Sequence, residues 1–251
     1  MAAQQDPGGL RPHPTLTDYY ADEPGRRRFV SWLFDETAPN YDRIIGLMSF
    51  GSGTWYRGDA LKRSGLAPGM RLLDVACGSG PVTQEAQRRV GPQGRVVALD
   101  PSVGMLRETR KRVAVPLIQA GAESLPLKSG SFDFLSMGYA LRHVADLDRT
   151  FREYHRVLAP QGRVLVLEMT RPRSRVQYAL TRLYMGRIVP AVARLTTSSK
   201  DSATLMHYFW DTIENCVPPE TIENALRAAG FRDVKRKVFF GVFSEYTGVK
   251  A

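Results

Sequence analysis

From Gly69 onward, short apolar runs alternate with longer amphipathic ones, and this alternation restricts the fold more than any other feature of the chain. "MRLLDVA", "GRVVALD", "PLIQA", "FDFLSM" and "GRVLVLEM" are short enough for strands and apolar enough to be buried on both faces. Between them lie "PVTQEAQRRV", "SVGMLRETRKRV" and "DLDRTFREYHRVL", which read as helices. In the last, Leu147, Phe151, Tyr154 and Leu158 recur at helical spacing as one buried stripe, and "PQG" (Pro160 to Gly162) is a turn into the next strand. Strands buried on both faces and separated by helices give a parallel sheet covered on both sides. "FRDVKRKVFF" and "VFSEYTGVK" lie close enough to pair as an antiparallel hairpin at the sheet edge. The expected fold is α/β: a doubly wound, Rossmann-like, seven-stranded, mostly parallel sheet with an antiparallel C-terminal hairpin.

The flanking segments differ in character. Residues 1–25 contain no apolar run and are expected to be a flexible tail, with residues 26–251 forming a single domain. Within that domain, residues 26–66 read as an N-terminal helical cap punctuated at "GSG" (Gly51 to Gly53). Residues 171–219 carry no strand signal and are expected to form an inserted helical lid. The two cysteines, Cys77 and Cys216, belong to no metal-binding or disulfide pattern, so a reducing cytoplasm and no metal are expected.

The first strand runs into "LLDVACGSGP", a glycine turn opening a helix. A dinucleotide site wants G-x-G-x-x-G, and here Gly78 and Gly80 fill the first two places while Thr83 occupies the third. Asp74 discriminates further, because a carboxylate beside the turn suits a cofactor with an α-amino group and a sulfonium better than a pyrophosphate. Asp100, at the tip of the second strand, can accept both ribose hydroxyls. After the third strand, the Ala122 N–H and the Glu123 side chain match an adenine edge. These elements at successive strand ends point to S-adenosylmethionine.

With those residues in view, the chain resembles the class I methyltransferases, and more narrowly the C-methyltransferases of ubiquinone and menaquinone biosynthesis. The resemblance runs from about Phe34 to Lys250 through "FDETAPNYDRIIGLMSFG", "LDVACGSGP", "VVALDPSVGML", "AESLP", "YALRHV", "RVLAPQGRVLVLEMTRP" and "AGF". It implies cofactor contacts at Tyr41, Asp74, Ala76, Gly78, Gly80, Asp100, Pro101, Met105, Ala122, Glu123 and Met137. The pattern departs at Ile44–Ile45, at "MHYFWDTI" and at Pro81, which leaves the acceptor ring open.

Methylating an aromatic carbon requires an electron-rich ring. "LRHV" follows the fourth strand, where Arg142 can stabilise a phenolate and His143 can serve as base. Tyr208, near His207 and Asp201, is expected to complete the acceptor pocket, whereas His155 reads as structural.

The formal net charge is +10, and Arg171, Arg173, Arg175, Arg182, Arg187, Arg194 and Lys200 crowd a stretch without acids between Glu168 and Asp201. Val176, Leu180, Leu183, Tyr184, Ile188 and Ala191 share one helical side there, Arg175 and Arg182 lie opposite, and Pro190 should kink the helix. The expected function is methylation of a polyprenylated benzoquinol or naphthoquinol, in the cytoplasm or on the inner face of a membrane. A soluble aromatic product or a phospholipid headgroup amine is the alternative acceptor. A nucleic-acid methyltransferase ranks below both, since no basic domain or base-flipping motif is present. A catalytically silent relative that binds a partner, association with a biosynthetic complex and a homodimer all stay open.

Overall fold

The computed structural model describes residues 9–49, 53–197 and 200–251. Among these the strands are β1 (Arg71–Val75), β2 (Arg95–Asp100), β3 (Leu117–Gln119), β4 (Phe132–Gly138), β5 (Leu158–Met169), β6 (Phe231–Phe239) and β7 (Phe243–Lys250). They form one 7-stranded sheet in the order β3-β2-β1-β4-β5-β7-β6. The first five pair in parallel, and β7 runs antiparallel to both β5 and β6. This is the expected doubly wound sheet with its C-terminal hairpin.

The chain steps outward from β1 to β3, then returns to lay β4 on the opposite side of β1. Connections leaving the carboxyl ends of β1 and β4 therefore diverge, and the crevice between them is where open α/β sheets take ligands. On one face Leu73 and Val75 pack with Leu135, Phe151 and Tyr154; on the other Leu72 packs with Ala86, Phe134 and Leu165. Burial on both faces of β1 explains its unbroken apolar run. Helix α3 (Pro81–Val90) starts with proline in its first turn, where a missing N–H costs nothing, and α4 spans Val103–Arg112. Helix α5 (Leu147–Val157) is capped by Asp146, whose carboxylate accepts the N–H groups of Asp148 and Arg149.

The cap comprises α1 (Glu23–Ser49) and α2 (Gly53–Arg63); the rest of the "GSG" punctuation, residues 51–52, lies outside the described residues. In the lid, α6 (Arg175–Leu183) passes through a π-helical turn, Tyr184–Ile188, into α7 (Val189–Thr197), followed by α8 (Lys200–Glu214) and then α9 (Pro219–Ala228). Pro190, expected as a kink, follows a widened turn in which the Val189 N–H reaches the Tyr184 carbonyl. Proline cannot donate to Gly186, and the wide turn absorbs that loss. Cap and lid share a core of their own, with Tyr20 and Leu33 against Leu205, Met206, Tyr208 and Phe209.

Two expectations change. Residues 1–8 lie outside the described residues, but the segment from Leu10 is docked rather than loose. The Leu147 N–H donates to the Leu10 carbonyl and the Val217 N–H to the Pro12 carbonyl, while His13 and Tyr20 are buried. "PQG" belongs to β5 as a bulge: the register jumps from Phe132↔Leu158 to Phe134↔Arg163, and Gln161 takes φ 63°. His155 sits against the Phe231 ring, 5.3 Å between centroids, a packing role.

Candidate active site

At the carboxyl ends of β1, β2 and β4 the structure opens into a cavity of about 1030 Å³, roofed by cap and lid. Single small-molecule sites fill roughly 300–1,000 Å³, so this one has room for a cofactor and an acceptor together.

The turn after β1 has a demanding backbone. Ala76, Gly78 and Gly80 all lie in the left-handed region, at φ 54°, 57° and 88°. At Gly80 a Cβ would also meet the Thr109 methyl at 3.0 Å. Glycine is needed there to pack α3 against α4, and Gly80 does not line the cavity, contrary to its expected cofactor contact. Ala76 and Gly78 do line it.

Asp74 borders the cavity from behind. It is fully buried, with its oxygens accepting the Thr83 hydroxyl at 2.6 Å and the Ser136 hydroxyl at 2.8 Å. Asp100 accepts the N–H groups of Gly78 at 2.9 Å and Ser102 at 2.8 Å, so one carboxylate ties the turn after β1 to the loop after β2. Burial pushes both carboxyls up to about 6. Pro101, Met105 and Met137 line the space between. After β3, Ala122 and Glu123 also reach the cavity, and Glu123 is fixed by the Ala145 N–H at 2.6 Å. Carboxylates at both ends of a floor of backbone and apolar side chains fit the amino-acid and nucleoside parts of S-adenosylmethionine.

Because a proton competes with any cation near these groups, affinity for a sulfonium nucleoside should fall below about pH 6, by up to about tenfold per unit for each carboxyl that takes up a proton. Calorimetric titration from about pH 5 to 8 measures this, and a flat profile would mean that neither carboxyl takes up a proton when the ligand leaves.

The acceptor side differs from expectation. Arg142 reaches the cavity, but its guanidinium is in direct contact with the buried Glu168 carboxylate and also donates to Thr212 Oγ1 at 3.1 Å and the Tyr139 carbonyl at 3.0 Å. Its charge is matched inside the protein, so it is poorly placed to stabilise a phenolate. Tyr208 does not line the cavity; it packs against Tyr19 and Phe29 in the lid core. "MHYFWDTI" forms a helix whose Tyr208 side is buried, and Phe209 reaches the cavity instead. His143 lines the cavity, stacked on Phe209 with 5.7 Å between centroids and edge-on to Phe34 at 5.3 Å. Among the described residues neither ring nitrogen has a hydrogen-bond partner, and burial followed by the nearby Arg142 charge keeps the imidazole well below its ordinary pKa. It is a neutral ring at the cavity wall whose two nitrogens are buried.

Sequence reading missed Arg57, Tyr139 and two carboxylates of the cap. Asp35 accepts the Ser102 hydroxyl at 2.6 Å and the Gly104 N–H at 2.8 Å; Asp42 accepts the Ser79 hydroxyl at 2.5 Å and meets Arg112. The signal was present in "FDETAPNYD", where Phe34 and Tyr41, like Asp35 and Asp42, are two helical turns apart on one face. The aromatic pair lines the cavity while the acidic pair holds α1 on the cofactor loops.

The comparisons with known proteins agree with this geometry. The model of the ubiE/COQ5 methyltransferase family matches residues 22–250. The chain is 33% identical over 230 residues to the ubiquinone/menaquinone biosynthesis C-methyltransferase UbiE of Hahella chejuensis, covering 88% of this chain and 91% of that one. To UbiE of Idiomarina loihiensis it is 32% identical over 233 residues, covering 90% and 92%. Among solved structures, a SAM-dependent methyltransferase of Thermotoga maritima, a possible histamine N-methyltransferase, aligns with TM-score 0.62 at 20% identity over 88% of this chain and 99% of that one, a likeness of fold alone. With a match from cap to final strand and a cavity fitted to a sulfonium nucleoside, this chain belongs to the ubiE/COQ5 methyltransferase family.

Proposed function

We propose that this protein transfers a methyl group from S-adenosylmethionine to a ring carbon of a polyprenylated benzoquinol or naphthoquinol. The observation that carries this reading is the division of one cavity into two unlike ends. Asp74, Asp100 and Glu123 border the end over the sheet edge, whereas Phe34, Phe209 and Leu180, from α1, α8 and α6, line the end under cap and lid. The names of the UbiE relatives support a quinol as the acceptor.

S-adenosylmethionine, when bound, supplies an electrophilic methyl group on a cationic sulfur. The chain's own task is alignment and exclusion of water. The aromatic side chains hold a flat ring, and His143, neutral and with no hydrogen-bond partner among the described residues, can accept the ring hydroxyl hydrogen and raise electron density on the adjacent carbon.

No described helix is long and apolar enough to cross a membrane. The cavity mouth nevertheless exposes Trp55 (72%), Leu180 (63%) and Phe240 (82%), and α6 adds Val176 (68%). Arg173, Arg175 and Arg182 accompany them in the acid-free stretch. An apolar rim with basic neighbours suits an anionic bilayer, from which a prenyl tail can enter without crossing water.

The deciding experiment is mass spectrometry of the quinone pool in cells with and without the protein. Cells lacking it should accumulate a quinone lighter by one methylene, and an unchanged pool overturns the reading. In vitro, Val176→Asp, on the exposed face of α6 and outside the cavity lining, should lower kcat/KM for vesicle-borne quinol about tenfold while leaving a short-chain quinol nearly unaffected.

A further inference from the structure

The amino-acid end of S-adenosylmethionine carries an ammonium and a carboxylate on the same carbon. Asp74 answers only the first. A carboxylate withdrawn from water needs a cation or several N–H donors, and a cation for this one must lie near Asp74.

The arginines on the cavity wall are Arg26, Arg27, Arg57, Arg142 and Arg149. Arg26 and Arg27 pair with Glu23 at 2.8 and 3.2 Å, and Arg142 pairs with Glu168. Arg149 donates to the Glu123 carbonyl at 2.9 Å, on the loop after β3, at the nucleoside's base end. Arg57, on α2, has no ion pair or hydrogen bond among the described residues. Its guanidinium carbon sits 5.3 Å from the centroid of the Tyr139 ring.

Tyr139 is itself held firmly. It follows β4 at φ 62°, its N–H donates to the Leu167 carbonyl at 2.7 Å, and its carbonyl accepts from Arg142. A bulky residue in the left-handed region is strained, and such strain is found where surroundings fix a side chain for a purpose. A guanidinium over an aromatic ring is oriented by the ring while its N–H donors stay at its edge, free for a planar anion. Tyr139 directly follows β4, whose Ser136 hydroxyl bonds to Asp74, which places Arg57 at the same end of the cavity.

We infer that Arg57, oriented by Tyr139, binds the α-carboxylate of the methyl donor and with Asp74 forms a site for a zwitterion. Arg57 touches cofactor in this assignment; Tyr139 is a positioning residue. The inference rests on S-adenosylmethionine as donor and is independent of the acceptor.

The test is calorimetric binding of S-adenosylmethionine and of its decarboxylated counterpart to the full chain. Wild type should prefer the carboxylated nucleoside by about 10- to 100-fold, the range for hydrogen bonds to a charged group. Arg57→Met should abolish that preference while binding the decarboxylated nucleoside within about twofold of wild type, which also verifies an intact site. Arg57→Lys should keep part of the preference, since an ammonium cannot make the two-pronged contact. Tyr139→Leu should narrow it, as the guanidinium loses its platform. Wild type showing no preference, or Arg57→Met retaining it, overturns the assignment. Wild type binding neither nucleoside overturns the donor reading and this inference with it. Arg57→Met that binds both nucleosides normally yet loses turnover moves Arg57 to the acceptor and overturns the assignment too.

Discussion

Asp74→Asn is expected to make the protein more stable and less able to bind its cofactor. The carboxyl is fully buried and its pKa is raised from 3.8 to about 6, chiefly by desolvation. At neutral pH the ionised group therefore costs roughly 3 kcal/mol of folding free energy. The sign follows from the direction of the shift. Below about pH 4 the group is protonated in both folded and unfolded states and costs nothing; the penalty grows as pH rises towards 6 and is complete at neutrality. An asparagine has the same shape and can bond to both the Thr83 and Ser136 hydroxyls, which can turn to suit it. Thermal melts should show the variant above wild type at pH 7, with the gap closing near pH 4. Cofactor affinity should fall about 10- to 100-fold with the loss of the negative charge facing the ammonium. Equal melting temperatures at pH 7, or unchanged affinity, would contradict this account of Asp74.

Arg142→Met is expected to have the largest effect on folding, about 3–5 kcal/mol, because it leaves the Glu168 carboxylate buried and unpaired. Both side chains are almost completely enclosed, so water cannot take over the lost interactions. The Met169 N–H and the Arg142 N–H would still donate to Glu168, at 2.7 and 3.2 Å, but two neutral donors do not balance a charge. Replacing both partners, as Arg142→Met with Glu168→Leu, should recover much of the loss. Urea unfolding of the two single variants and the double variant measures the coupling. A variant that keeps its stability and loses turnover would return Arg142 to the acceptor role read from the sequence.

That role illustrates where the sequence stops being legible. Sheet order, hairpin and glycine turn were readable because each rests on local pattern: apolar runs, turn residues, a carboxylate at a strand end. The ion pair joins Arg142 after β4 to Glu168 near the end of β5, and no spacing in the chain reveals that these positions are adjacent. Tyr208 failed for a related reason. Its helix carries aromatics on more than one side, and only the packing of α8 on α1 decides that Phe209 reaches the cavity while Tyr208 is enclosed. Arg57 was hidden among many arginines; what sets it apart is that it lies over the Tyr139 ring with no ion pair or hydrogen bond among the described residues, a property of three-dimensional surroundings. The tail was misread because Leu10, Leu16, Tyr19 and Tyr20 are scattered, and their common burial depends on the α5 start and the lid core lying side by side.

The two cap carboxylates should act in time as well as in space. Asp35 grips the loop that follows Asp100, and Asp42 grips the turn that contains Gly78, so the same helix that supplies Phe34 and Tyr41 to the roof is bolted to the floor. Spent nucleoside should leave only when those bolts slip. On that view the tempo of the catalytic cycle belongs to the undocking of a helix, and loosening Asp42 should quicken departure without touching the chemistry.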